Sequence, residues 1–165
     1  MNYSNDNLLL DYARRTQENL EFIENAVRQE PEKEIFEVTQ LINSLLGLLV
    51  FPFERMRNQI PSKPLQDLEA EGWVVPEVVG DFPQVGNLRE LIRYLRNAVA
   101  HFNIEFIADK NNQISGVYVW NTYHNEKTWK AEITIAGLRN NVYRFIELIL
   151  SFEDSKKTNP KRFPD

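Results

Sequence analysis

The 165-residue chain contains no cysteine, an absence that removes disulfide cross-links, thiolate nucleophiles and every zinc or iron–sulfur site built on sulfur ligands. Only two histidines are present, His101 and His124, so little imidazole is left for a metal, and neither a metal nor another cofactor is expected. The N-terminus lacks a basic segment followed by an apolar run, and no apolar stretch approaches the roughly 20 residues that cross a bilayer. A cytoplasmic protein with no membrane partner is therefore expected. Asn2-Tyr3-Ser4 matches a glycosylation sequon, but without an export signal the match is read as chance. Positive charge is also in short supply, with 19 Lys and Arg against 24 Asp and Glu and a net charge of −5. The molecule as a whole should not attract polyanions, so any nucleic-acid site must be local.

What is present is the composition of a folded protein, 42% hydrophobic and 26% charged. A single domain is expected over residues 1–152, followed by a flexible polar tail over 153–165. Leu9, Tyr12, Thr16, Leu20, Ile23 and Val27 recur at spacings of three and four, predicting a first helix from about Asp6 to Arg28. A second helix is expected from about Pro31 to Asn58. Pro31 suits a first helical position, and Leu41, Ile42, Leu45, Leu46, Leu48 and Leu49 leave almost no polar face. Pro52 removes a backbone donor inside that helix and predicts a kink or break near Val50, which would aim Glu54, Arg55 and Arg57 away from the core. From Gln59 to Gly86 prolines and glycines interrupt the pattern. A long connection is expected there, with a short helical turn at Leu65–Ala70 and an extended piece at Trp73–Val75.

Asn87 is a candidate cap for a third helix, whose stripe of Leu88, Leu91, Ile92, Leu95 and Val99 runs to about His101. The period then drops to two. Ile104 and Phe106, Val117 to Thr122, and Trp129 to Ile135 predict three strands, joined by turns at Asp109–Gln113 and His124–Lys127. Leu138, Val142, Phe145, Ile146, Ile149 and Leu150 return to helical spacing, up to about Phe152. The expected fold class is mainly α: four helices, with a small three-stranded antiparallel meander inserted between the third and the fourth.

The chemistry concentrates in Arg96-Asn97-Ala98-Val99-Ala100-His101. Residues four apart in an ideal helix differ by about 40° and residues five apart by about 140°. Asn97 and His101 thus share a face that Arg96 borders, and Ala98 and Ala100 are small enough for another backbone or a ligand to approach. Guanidinium holds two phosphate oxygens at once and imidazole moves protons, so the pair suits phosphate chemistry. An arginine and a histidine near a helix end also serve as an ion pair and a cap, and the two residues alone leave both readings open. His124, in a polar turn, reads as an exposed turn residue.

An arginine, a polar residue, a short mostly apolar spacer and a histidine, at the end of the third of four helices, resembles the HEPN family motif. Here the polar position is Asn97 and the spacer is Ala98-Val99-Ala100, so that four residues separate Arg96 from His101. Leu45 to Glu54 and the strands after the histidine resemble a bacterial HEPN subgroup, and the likeness extends over about residues 5–152. The resemblance implies a four-helix HEPN-like bundle and a homodimer whose third helices meet, so that both motifs line one cleft. It further implies a metal-independent endoribonuclease of toxin–antitoxin or phage-defence systems, with RNA as substrate, an antitoxin protein as partner, and a 2′,3′-cyclic phosphate as product. In that scheme Arg96 neutralises the scissile phosphate, His101 transfers protons and Asn97 orients the site. Glu54, Arg55, Arg57 and Arg93 are further RNA-binding candidates, and Tyr94 and Phe102 are candidates for stacking on bases. The alternative is a non-catalytic HEPN module that binds RNA, a nucleotide or a protein.

Overall fold

The computed structural model describes residues 8–158, with the side chains of 51–55 and 153–158 left outside that description. In chain order its elements are α1 (Leu8–Gln29), α2 (Glu37–Met56), α3 (Leu65–Ala70), β1 (Glu77–Val78), α4 (Leu88–Ala100), β2 (Ile104–Ala108), β3 (Ile114–Tyr123), β4 (Glu126–Thr134) and α5 (Ile135–Thr158). The mainly α expectation stands, but its details need correction. The described residues form five helices, because the short turn at 65–70 is a helix in its own right. The sheet has four antiparallel strands in the order β1-β4-β3-β2, not three. Its extra strand, β1, precedes α4, so the sheet is not wholly an insertion after that helix.

The apolar stripes explain the layers. Leu10, Ala13 and Leu20 of α1, Leu41, Leu45, Leu48 and Leu49 of α2, and Val142, Phe145, Ile146 and Ile149 of α5 are buried together. α2 begins at Glu37 rather than Pro31. Phe36 is 66% exposed, and the buried stripe starts only at Val38, so residues 31–36 have little to pack and form a turn and irregular chain. Pro52 does not end α2, which continues to Met56. The missing N–H removes one helical bond at that point, and no break near Val50 results. α5 follows β4 without a loop, where Thr134 Oγ1 accepts a bond from the Gly137 amide at 3.0 Å and caps the new helix. It also runs past Phe152 to Thr158, into the segment expected to be a tail, while residues 159–165 lie outside the described residues.

One face of the sheet packs on α4 and α5. Val117, Val119 and Asn121 of β3 and Trp129, Ala131 and Ile133 of β4 alternate onto that buried face. β3 pairs with β2 from Ile104↔Val119 onward, and with β4 along its length. His124 (φ 48°) and Asn125 (φ 65°) both adopt left-handed backbone in the two-residue turn between β3 and β4, as a type I′ hairpin requires. β1 is held by α5: Asn141 accepts from the Val74 amide (2.8 Å) and donates to its carbonyl (2.7 Å), while Asn140 donates to Gly72 O (2.6 Å). This clamp sets the chain so that Glu77 and Val78 pair with Glu132 and Ala131, two residues beyond the extended piece expected at 73–75. Among the described residues no helix is long and apolar enough to cross a membrane.

Candidate functional site

α4 carries the motif, and its two ends are built differently. At the start, Asn87 Oδ1 accepts from the Glu90 amide (3.1 Å), and the Glu90 carboxylate accepts from the Gly86 amide (2.6 Å). The first bond satisfies one of the orphan donors at the helix entrance, and the second ties the residue before the cap to the first turn. Leu88, Leu91, Ile92, Leu95, Ala98 and Val99 are buried along the stripe that anchors the helix, each large aliphatic side chain among them worth about 1.5–3 kcal/mol relative to exposure.

The exit is a Schellman turn. The amides of Phe102 and Asn103 return to the carbonyls of Val99 (3.1 Å) and Ala98 (2.8 Å). This closure needs a left-handed residue just past the cap, a place glycine usually takes, and here it is Phe102 at φ 54°. Its ring is 73% exposed. An exposed aromatic in a conformation that L-residues avoid, next to a candidate catalytic histidine, places strain beside the motif.

Within the motif, Arg96 is half-buried and its Nη1 donates to Asn97 Oδ1 at 3.1 Å. That bond uses the amide's acceptor and leaves its N–H donors to other partners. His101 is the exposed C-cap residue, its own amide bonded to the Asn97 carbonyl at 3.1 Å. Arg96 and Asn97 are thus brought together by a hydrogen bond, while His101 lies one turn on, at the helix cap. Five residues along a helix turn Arg96 and His101 about 140° apart.

The other candidates separate. Arg93 pairs with Glu90 (3.3 Å) and lies over the Tyr94 ring, 5.1 Å from its centroid. Tyr94 is half-buried and meets the fully buried Trp129 edge-on at 5.1 Å, so its ring is already packed against the core. Arg89 bonds the Ile60 carbonyl through Nε and Nη2, at 2.9 and 2.7 Å, tying α4 to the turn after α2. Arg57 is exposed in that turn. The side chains of Glu54 and Arg55 lie outside the described residues. His124 sits exposed at the hairpin tip, with its ring edge-on to Tyr123 at 4.1 Å. Among the described residues no group of three or more His, Asp or Glu is arranged to hold a metal ion.

The structure also gathers chemistry that the sequence pattern conveys only as strand. On the outer sheet face, Lys130 Nζ lies 4.2 Å from the Tyr118 ring centroid and Lys127 Nζ lies 4.7 Å from that of Trp120. Alternate aromatic positions on one strand and lysines on the next are the signal, but only the register shows that they meet.

A family model described as HEPN pEK499 p136 matches residues 1–156. No curated protein and no solved structure matches the chain. With the family pattern running from Met1 through nearly all of α5, and the Arg96…His101 motif closing its fourth helix, the chain belongs to the HEPN pEK499 p136 family.

Proposed function

We propose that this chain is a metal-independent endoribonuclease that acts as a homodimer, in a toxin–antitoxin or phage-defence setting. The observation that carries the reading is the Arg96–Asn97 bond behind an exposed His101 cap. A guanidinium held in place by its neighbour can neutralise a phosphate, and an accessible imidazole can move a proton. The 2′-hydroxyl attacks phosphorus as His101 takes its proton. Arg96 compensates the charge that grows on the phosphoryl oxygens, and a second proton donor serves the departing 5′-oxygen. The products are a 2′,3′-cyclic phosphate and a 5′-hydroxyl.

The same geometry supports the homodimer. Because Arg96 and His101 diverge by about 140° on one helix, one copy presents them in different directions. Two copies of α4 packed about a twofold axis would set the arginine of one beside the histidine of the other, with exposed Ala100 permitting close approach. The second reading, a non-catalytic module for RNA, a nucleotide or a protein, is favoured by the net charge of −5 and by the engagement of Arg89 and Arg93 within the fold.

The test is to incubate purified protein with structured RNA in EDTA, beside Arg96→Ala and His101→Ala variants. Cleavage confined to the wild type, with cyclic phosphate ends, is the expected result. Cleavage that persists in both variants removes the assignment. RNA binding without cleavage, even after a co-purifying partner is stripped away, selects the second reading.

A further inference from the structure

We infer that the outer face of the β3–β4 hairpin is a stacking site for single-stranded RNA, separate from the Arg96…His101 motif but resting on the RNA reading of the preceding section. Tyr118 and Trp120 point to the same face because they are two residues apart on one strand, with buried Val119 on the other face between them. Both residues are half-buried, and each ring has a lysine ammonium over it, Lys130 on Tyr118 and Lys127 on Trp120. An ammonium over a partly accessible ring is a weaker partner than a stacked base. An incoming base therefore displaces each lysine from its ring, and the freed cation is left beside the phosphate that accompanies that base. Aromatic platform and phosphate ligand are supplied by the same four residues.

The spacing selects the form of the RNA. Two rings on alternate positions stand about 6.8 Å apart along a strand, roughly twice the 3.4 Å rise between stacked bases. Neighbouring bases can occupy both rings only if they unstack, which an unpaired strand does readily and a duplex does not. Charge limits the footprint. Glu105 and Glu132 are the cross-strand neighbours of Tyr118 and repel phosphate there, so the backbone is directed along the Trp120 end, between Lys127 and Lys130. That end adjoins the motif: the Trp120 amide donates to the Asn103 carbonyl at 3.2 Å, two residues after His101.

Tryptophan fluorescence tests this directly, because Trp73 and Trp129 are buried (8% and 0% exposed) and Trp120 is not. The full chain is titrated with a short 2′-O-methyl oligoadenylate, which cannot be cut by 2′-hydroxyl attack, and with the same strand in a duplex. The single strand should quench the emission and the duplex should not. Trp120→Phe should bind yet lose the quench, and Trp120→Ala should weaken binding roughly tenfold, as expected for one stacked base. Lys127→Ala with Lys130→Ala should lower the slope of log affinity against log salt by about 1.4, the value for two phosphate contacts on a single strand. If Trp120→Ala does not fold, the lysine pair, both on the outer face of the sheet, carries the test. Quenching that survives in Trp120→Phe, or an unchanged salt slope, overturns the site. Quenching without any cleavage of natural RNA keeps the site and removes the catalytic reading. Cleavage that depends on Arg96 and His101 with no quenching does the reverse.

Discussion

Phe102 offers a way to measure the strain stored at the end of α4. Two substitutions isolate it, Phe102→Gly and Phe102→Ala, because both discard the same mostly exposed ring and differ only in how the backbone tolerates φ 54°. An L-residue in left-handed backbone costs about 1–2 kcal/mol. Glycine avoids that cost but gives up about 0.5–1 kcal/mol more backbone entropy on folding than alanine. The midpoints of these ranges leave the glycine variant about 0.75 kcal/mol more stable than the alanine variant. At an ordinary position in a helix or strand the order would be the opposite. For a chain of this size the gap corresponds to about 1–4 °C in melting temperature, readable by thermal melts of the two proteins side by side and by urea midpoints. An alanine variant as stable as the glycine variant, or more so, would refute the strain argument. If the ring is a base contact, both variants should lose RNA affinity to the same extent whatever their order of stability.

Three further outcomes are expected. Asn87→Ala should cost about 1 kcal/mol through loss of the α4 cap, measured by urea unfolding, and Asn87→Asp should retain most of it. Gly47→Ala should destabilise by about 1–3 kcal/mol, because the added methyl would collide with the Tyr12 hydroxyl where α1 crosses α2, and Tyr12→Phe should recover part of the loss. Burial, joined by the charges of Glu24 and Glu21, pushes the Tyr143 phenol up to about 12. The unfolded chain, near 10, then gives up its proton first, so this contribution is intact below pH 10 and is lost as pH rises toward 12. Tyr143→Phe should flatten the alkaline fall in urea midpoint.

The helices were legible wherever a long apolar stripe faced one core. Leu88 to Val99 gave α4 almost to the residue, and the Asn87 cap was readable because a side-chain oxygen before a periodic run has one obvious use. Boundaries set by something other than periodicity were not legible. Pro31 looks like a helix start on local grounds, yet none of residues 31–37 is buried in the core to repay ordering them as helix. β1 is two residues long, too short for any alternation, and its position depends on Asn141, 67 residues away from Val74 in sequence. At the motif, the residue types and their spacing were visible, but Phe102 as the left-handed residue of a Schellman turn was not, since glycine is the usual signal. Nor could spacing alone show which arginines of α4 the fold itself engages. Arg89 reaches a carbonyl 29 residues back in the chain, and Arg93 closes on its own helix.

The Asn140–Asn141 clamp bears on the order in which the molecule matures. A ribosome must deliver the second residue of each pair nearly seventy positions after the first, so the 72–78 segment emerges long before its anchor exists. Without α5 the segment that carries β1 lacks this clamp, and an uncovered outer edge of β4 would be an open template for another strand. The last helix would then be a latch as well as a wall of the core.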